Sequence, residues 1–421
     1  VYDLMVVPEN INAFDTLALI SILNISKKDL QKKIESAENF SKKLPSVLVR
    51  QLPINEVAIL QEKMWKFPGF YFQKKSTRDY IIPIASNVLG YTSETNRREI
   101  KTKTDYDLGE MIGRQGIEKT YEKLLRGKKG KKLFQKDRFN RIIGAYEGGA
   151  FDQTPEAAEN LVLTIDASLQ AFGEALMINK RGGIVAIEPE TGEILSLVSA
   201  PNYNPNLLTG RNRSEYFRKL LNDTIAKPLF DRSLQAEYSP GSPFKTLNAL
   251  IGLQENIITP ETKFSCNEGH YYAKGAFMKC HCKKGTNNNL IRAIYNSCNT
   301  YFAKTFKSLI ESKSSPSESI DLWKKHLEKF GLGNYLGYDL PIGKRGFIPG
   351  SDYYDRWYPK KNWGATTIIS NSIGQGEVLT TPIQMANFTA TIANRGFYRK
   401  PHFKKTASKS FQDSLYPKNK T

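Results

Sequence analysis

The stretch Tyr238-Ser239-Pro240-Gly241-Ser242-Pro243-Phe244-Lys245 decides how the second part of the chain folds and what chemistry it can carry. Pro240-Gly241 is turn chemistry, and Pro243 is tolerated only in the first turn of a helix. Phe244, Leu247, Leu250 and Ile251 then recur at the spacing of one buried stripe. Ser242 therefore stands at a helix N-terminus, where N–H groups without intrahelical partners can help hold an oxyanion. Lys245 follows three residues later on the same face, near enough to take the serine proton as a neutral amine. No other serine has lysine at the third following position. Two fixed residues equally describe a capping serine beside a solvated lysine, so the neighbouring sequence has to decide.

Downstream, Ser297-Cys298-Asn299 sets a hydroxyl and a carboxamide two residues apart, a pair able to relay protons and orient an amide substrate. The same tripeptide recurs at Ser265-Cys266-Asn267, which shows how cheaply it arises. Upstream, Leu161 to Asp166 reads as a strand whose Asp caps a helix over 169–180, with Leu169, Phe172 and Leu176 on one face. Gly183 to Glu188 and Glu193 to Val198 flank Pro189-Glu190-Thr191-Gly192 and predict a β-hairpin. In the first hundred residues, Val1 to Pro8 and Tyr80 to Pro83 read as extended. Lys28 to Phe40 and Ile54 to Lys66 read as helical, and a further helix opens after Gly116 and stops at Gly127. The polar stretch 144–160 is the best boundary, giving an N-terminal part over 1–155 and a second over 156–421.

The chain has 421 residues, 61 Lys and Arg against 42 Asp and Glu, a net charge of +19, 40% hydrophobic and 24% charged residues. These values exclude a disordered tail, a collagen repeat and a disulfide-dense miniprotein. The 27 basic and 18 acidic residues of 1–150 give nearly half the excess, so no detachable basic tail explains the charge. Such a surface attracts any polyanion, whether nucleic acid, anionic lipid or an anionic wall polymer. The densest run, Lys123 to Arg141, carries no nucleic-acid motif and reads as a solvated face or linker. No window approaches the ~18 apolar residues that span a bilayer. The start at Val1 reads as a processed or cut end.

Taken together, these strings resemble the class B penicillin-binding proteins of the elongation type. The resemblance runs through Arg78 with Tyr80, Gly90-Tyr91, GRQGIEKTYE, LTIDASLQ and GGIVAIEPETGEILSLVSAPNYNPN. It continues through SPGSPFK, SCNTYF and Ile373-Gly374-Gln375-Gly376 followed by Thr381-Pro382. It implies an α+β protein: an elongated non-catalytic pedestal for assembly or dimerisation, then a serine β-lactamase-like transpeptidase domain with a central antiparallel sheet flanked by helices. The implied activity is peptidoglycan D,D-transpeptidation during cell elongation. Ser242 is the implied nucleophile, Lys245 the base, and Ser297 and Asn299 the relay and orienting pair. Trp363, Gly374, Gln375 and Gly376 are implied at the substrate cleft, although packing alone would also explain Trp363. The implied partners are the stem pentapeptide, β-lactams, a SEDS-family glycosyltransferase and elongation-complex proteins. The implied place is the periplasmic side of the bacterial inner membrane, on a single-pass anchor outside this chain. No Lys-Thr-Gly or Lys-Ser-Gly occurs, and the chain reads as ending before that strand. Within the same resemblance a β-lactam-sensing receptor, a silent assembly scaffold and a β-lactamase are the competing functions.

All four cysteines, Cys266, Cys280, Cys282 and Cys298, fall in a 33-residue window, with His270 and His281 beside them. Disulfides and a structural Zn²⁺ are the two readings, and the crowding of Cys280-His281-Cys282 favours metal. The all-cysteine set is preferred to one in which His281 substitutes. The resemblance supports zinc, since some elongation-type relatives carry it beside this helix with the middle residue of the Ser-x-Asn motif, here Cys298, as a ligand. His326 and His402 read as surface or packing residues.

Overall fold

A computed structural model of the chain describes residues 1–96, 98–102, 105–107, 109–138, 142–406 and 413–421; Arg141, at the end of the basic run, lies outside them. Packing divides the chain into two compact units, 1–86 with 203–227, and 87–202 with 228–421. The division differs from a boundary near 155, because residues 87–155 are tied into the second unit. Tyr121 donates to Asp339, and Lys128 and Lys131 pair with Glu156 and Gln153.

In the first unit Tyr2–Val6 is the middle strand of an antiparallel sheet, between Ser46–Leu52 and Phe70–Lys74. Helices Thr16–Leu23, Lys27–Phe40 and Ile54–Lys63 accompany it, the first two capped by Asp15 and Ser26. Leu4, Val6, Leu19, Leu30, Leu48 and Leu60 make one core. Val57 and Leu60 face it, whereas Ile54 and Ile59 are exposed. Tyr80 to Pro83 is irregular rather than a strand. Its pairing is supplied by a side chain: Asn206 Oδ1 accepts from Tyr80 N at 2.9 Å and Asn206 Nδ2 donates to Tyr80 O at 2.8 Å.

In the second unit the predicted helix after Gly116 is broken at Tyr121 into Gly116–Thr120 and Glu122–Arg126, and Gly127 takes φ +70°. The hairpin forms as Gly182–Ile187 against Ile194–Ala200. Residues 161–166 form no strand, only a bridge at Leu163, but Asp166 does cap the helix Ala167–Leu176 by accepting from Leu169 N at 2.9 Å. That helix lays Gln170 and Gly173 on the hairpin and leaves Leu169, Phe172 and Leu176 exposed. Gly173 decides the face, since a Cβ there would stand 2.9 Å from Val198 Cγ2. Gln170 is fully buried because its amide mimics a strand, donating to Leu197 O and accepting from Leu197 N.

Helices Leu290–Tyr295, Asn299–Ile310 and Pro316–Lys329 pack on the helix Lys245–Gln254. Phe244, Leu247 and Ile251 enter a core with Phe306, Trp323, Leu327, Tyr354, Ile368 and Val378, while Leu250 points outward. Each such burial contributes roughly 1.5–3 kcal/mol, so this core fixes the helix that presents Ser242. No helix among the described residues is long and apolar enough to cross a membrane.

Candidate active site and thiol cluster

Ser242 opens a 3-10 turn, Ser242–Phe244, that continues into the helix Lys245–Gln254. Gly241 enters this turn at φ +67°, and its N–H donates to Gly374 O at 2.8 Å. Phe244 N is bonded to Gly241 O and Pro243 has no N–H, so the N–H of Ser242 is the donor this turn leaves for a ligand. Ser242 is exposed, while Lys245, one turn further, is 3% exposed.

Ser297 lies between these two residues. The helix Leu290–Tyr295 ends with Ser297 N donating to Ile294 O and Cys298 N to Ala293 O, the two bonds of a Schellman cap. That cap puts Ser297 in the left-handed region at φ +49°, a place glycine usually takes. Cys298 then caps the next helix, Asn299–Ile310, by accepting from Tyr301 N. The two-residue junction aims Ser297 Oγ at Ser242 Oγ, 3.0 Å away, and at Lys245 Nζ, 2.9 Å away.

Lys245 also donates to Ser297 O at 2.8 Å and to Asn299 Oδ1 at 2.6 Å. As an ammonium it uses all three hydrogens. As a neutral amine it keeps the bonds to Ser297 O and Asn299 Oδ1 and turns its lone pair toward Ser297 Oγ. The hydroxyl of Ser297 thus bonds both Ser242 and Lys245. Burial holds Lys245 below its ordinary value of 10.5, opposed by negative charge on Cys280, Cys298 and Cys282. Among the described residues no second cation contributes.

Asn299 Nδ2 donates to Lys279 O at 2.8 Å, so its amide is engaged at both ends. Gly374 belongs to the same cluster: a Cβ on it would stand 2.3 Å from Gly241 O. Gly376 at φ +75° and exposed Gln375 continue the loop. Trp363 is not brought to this cluster; it is 7% exposed, packs on Tyr354 and donates to Asp355 Oδ1.

The four cysteines converge beneath the junction. Cys266 ends the strand Phe264–Cys266, Cys280 and Cys282 follow the hairpin of Gly269–Ala273 with Ala276–Lys279, and Cys298 is the helix cap. All four are buried free thiols whose sulfurs lie within 4.8 Å of one another. Cys280 Sγ is 3.6 Å from Cys282 Sγ and 3.8 Å from Cys298 Sγ. Four sulfurs at the ~2.3 Å bond length of a tetrahedral zinc are about 3.8 Å apart, so the donor set fits such an ion. Donation from Cys298 draws the Cys280 thiol down to about 3, and the same bond pushes Cys298 up. N–H groups also point at sulfur, from Asn299 N to Cys280 at 3.2 Å and from Asn288 Nδ2 to Cys298 at 3.5 Å. His281 is exposed, and neither it nor His270 belongs to the set.

Two contributors escape a sequence reading. Asn288 sits in a run of asparagines with nothing to single it out, and the carbonyl of Lys279 has no side-chain signature.

Residues 182–421 match the family described as penicillin binding protein transpeptidase domain, and residues 1–163 match the penicillin-binding protein dimerisation domain. The chain is 34% identical to the peptidoglycan D,D-transpeptidase MrdA of Acinetobacter baumannii over 90% of its own length and 55% of that protein's. It is 30% identical to MrdA of Salmonella typhimurium, over 95% and 64%. It thus spans less than two thirds of these curated relatives. A penicillin-binding protein 2 of Helicobacter pylori, solved in complex with MreC, superposes with a TM-score of 0.80 at 27% identity, covering 98% of this chain and 77% of that one. The same class of protein from Pseudomonas aeruginosa, solved with WCK 5153, gives 0.65 at 29% identity, over 79% and 67%.

Proposed function

The chain belongs to the penicillin-binding protein transpeptidases, and from that membership we propose that it carries the acylating centre of a peptidoglycan D,D-transpeptidase. The observation that carries the proposal is the continuous chain Ser242 Oγ, Ser297 Oγ, Lys245 Nζ with links of 3.0 and 2.9 Å.

Ser242 Oγ attacks the penultimate D-Ala carbonyl of a stem pentapeptide while its proton passes to Ser297 Oγ and the proton of Ser297 passes to the lone pair of Lys245. The N–H of Ser242 receives the developing oxyanion. Collapse breaks the peptide C–N bond, and the proton returns through Ser297 to the leaving amine, which departs as D-Ala. An amine from a neighbouring stem then attacks the ester, gives up its proton along the same path and restores Ser242. β-Lactams enter as substrate mimics and stop at the acyl-enzyme.

We also propose that Cys266, Cys280, Cys282 and Cys298 hold a structural Zn²⁺. The ion would tie a strand, a hairpin and the 298 cap together, leaving acyl transfer to Ser242, Ser297 and Lys245. A SEDS-family glycosyltransferase and elongation-complex proteins as partners, and placement on the periplasmic side of the inner membrane, fit a wall-building enzyme with a +19 surface.

Crosslinking of stem pentapeptides by the full-length protein tests the reading. Dimer formation with release of D-Ala, lost in Ser242→Ala, is the expected result; acylation by penicillin without crosslinking would assign a sensor instead. Metal analysis of protein purified without added metal should return one zinc per chain. No zinc and no free thiols would replace the ion with disulfides.

A further inference from the structure

We propose that Asn248 is a positioning residue for the nucleophile, acting by locking the 369–373 turn beneath the Ser242 turn; the inference rests on Ser242 being the acylated residue. Asn248 stands one turn beyond Lys245 on the helix and is 2% exposed. A buried carboxamide needs partners on both ends, and these partners are specific. Its Nδ2 donates to Ser372 O at 2.8 Å and to Asn371 O at 3.3 Å. Its Oδ1 accepts from Trp323 Nε1 at 2.8 Å.

The two carbonyls lie in the 3-10 turn Ile369–Ile373, immediately before Gly374. Gly374 in turn receives the N–H of Gly241, and its α-carbon packs so closely that an added Cβ would meet Gly241 O at 2.3 Å and Phe244 Cβ at 2.6 Å. The helix bearing Ser242 therefore touches one short segment twice, through Asn248 below and Gly241 above. From the opposite side Asn371 Nδ2 is fixed on Tyr354 Oη at 2.7 Å. Between these anchors the segment has little freedom, and a shift of residues 371–372 moves Gly374 against Gly241, the residue that sets the entry of Ser242. The site tolerates little such movement, because a misplacement on the order of 1 Å can cost about 10²-fold in rate.

The test separates positioning from mere satisfaction of buried groups. Asn248→Asp keeps an acceptor for Trp323 and removes both donors to the turn; Asn248→Ala removes the donors without adding charge, and carries the test if the Asp variant does not fold. Trp323→Phe removes only the third bond and leaves the turn held. Penicillin acylation of the full-length protein is resolved into noncovalent binding and the acylation rate constant, alongside thermal midpoints. The expected result is a rate constant lowered by about tenfold or more in the Asn248 variants, binding changed less, and Trp323→Phe less stable with the wild-type rate constant. Wild-type rate constants in folded Asn248 variants, or an equal loss in Trp323→Phe, would overturn the inference. Failure of the wild-type protein to acylate at Ser242 would instead overturn the functional reading on which it rests.

Discussion

Ser297 occupies a left-handed position that glycine holds at lower cost, and the side chain kept there bridges nucleophile and base. Backbone strain of this kind persists where function needs it. Ser297→Gly should therefore release about 1 kcal/mol, leaving the thermal midpoint at or above wild type, while acylation falls by about 10² or more for want of the relay. A rate like that of the wild type would remove Ser297 from the proton path. Lys245 sets the pH dependence. Only its neutral form accepts the proton, and the neutral fraction grows as pH rises through its pKa. Burial lowers that pKa, so acylation should rise with pH about a midpoint below 10.5, the ordinary lysine value. A midpoint at or above that value in a pH–rate profile would show that Lys245 is not the buried base. Ser242 and Lys245 were legible at this scale because the Ser-x-x-Lys spacing is a short-range helical relation. Ser297 was readable as a relay candidate, but its contact with both groups depends on a helix cap 52 residues beyond Lys245, which local spacing does not register.

At the scale of elements, the hairpin of Gly182–Ile187 with Ile194–Ala200 was readable from two β-rich runs around a turn. The face of the helix Ala167–Leu176 was not. Its apolar stripe suggested burial, yet a close approach at Gly173 and strand-like bonding by Gln170 turn the other face inward. Periodicity reports a stripe but cannot report which face a neighbouring backbone can approach. The thiol cluster illustrates the converse. Four cysteines within 33 residues announced a site, and packing brings all four together while leaving both nearby histidines out. Close approach also governs the loop over the nucleophile. Gly374→Ala places a methyl against Gly241 O and Phe244 Cβ at φ +67°, so it should destabilise by about 1–3 kcal/mol and slow acylation. Unchanged thermal midpoint and acylation in that variant would mean that the Gly241–Gly374 contact does not shape the site.

At the scale of the molecule, sequence and packing divide the chain differently. Composition marks a polar boundary near 155, close to where the two family matches part, after 163 and before 182, while contacts group 87–155 with the unit that contains Ser242 and 203–227 with the unit of the first sheet. Contacts of long sequence separation decide such membership, and composition does not register them. The charge of +19 is shared by both parts of the sequence, so attraction for polyanions is not confined to one of them. The most direct measurement of the nucleophile is intact mass and peptide mapping of the full-length protein after penicillin treatment. One adduct is expected on the peptide bearing Ser242, with none in Ser242→Ala; an adduct that persists in Ser242→Ala or maps to another residue would exclude Ser242 as the nucleophile.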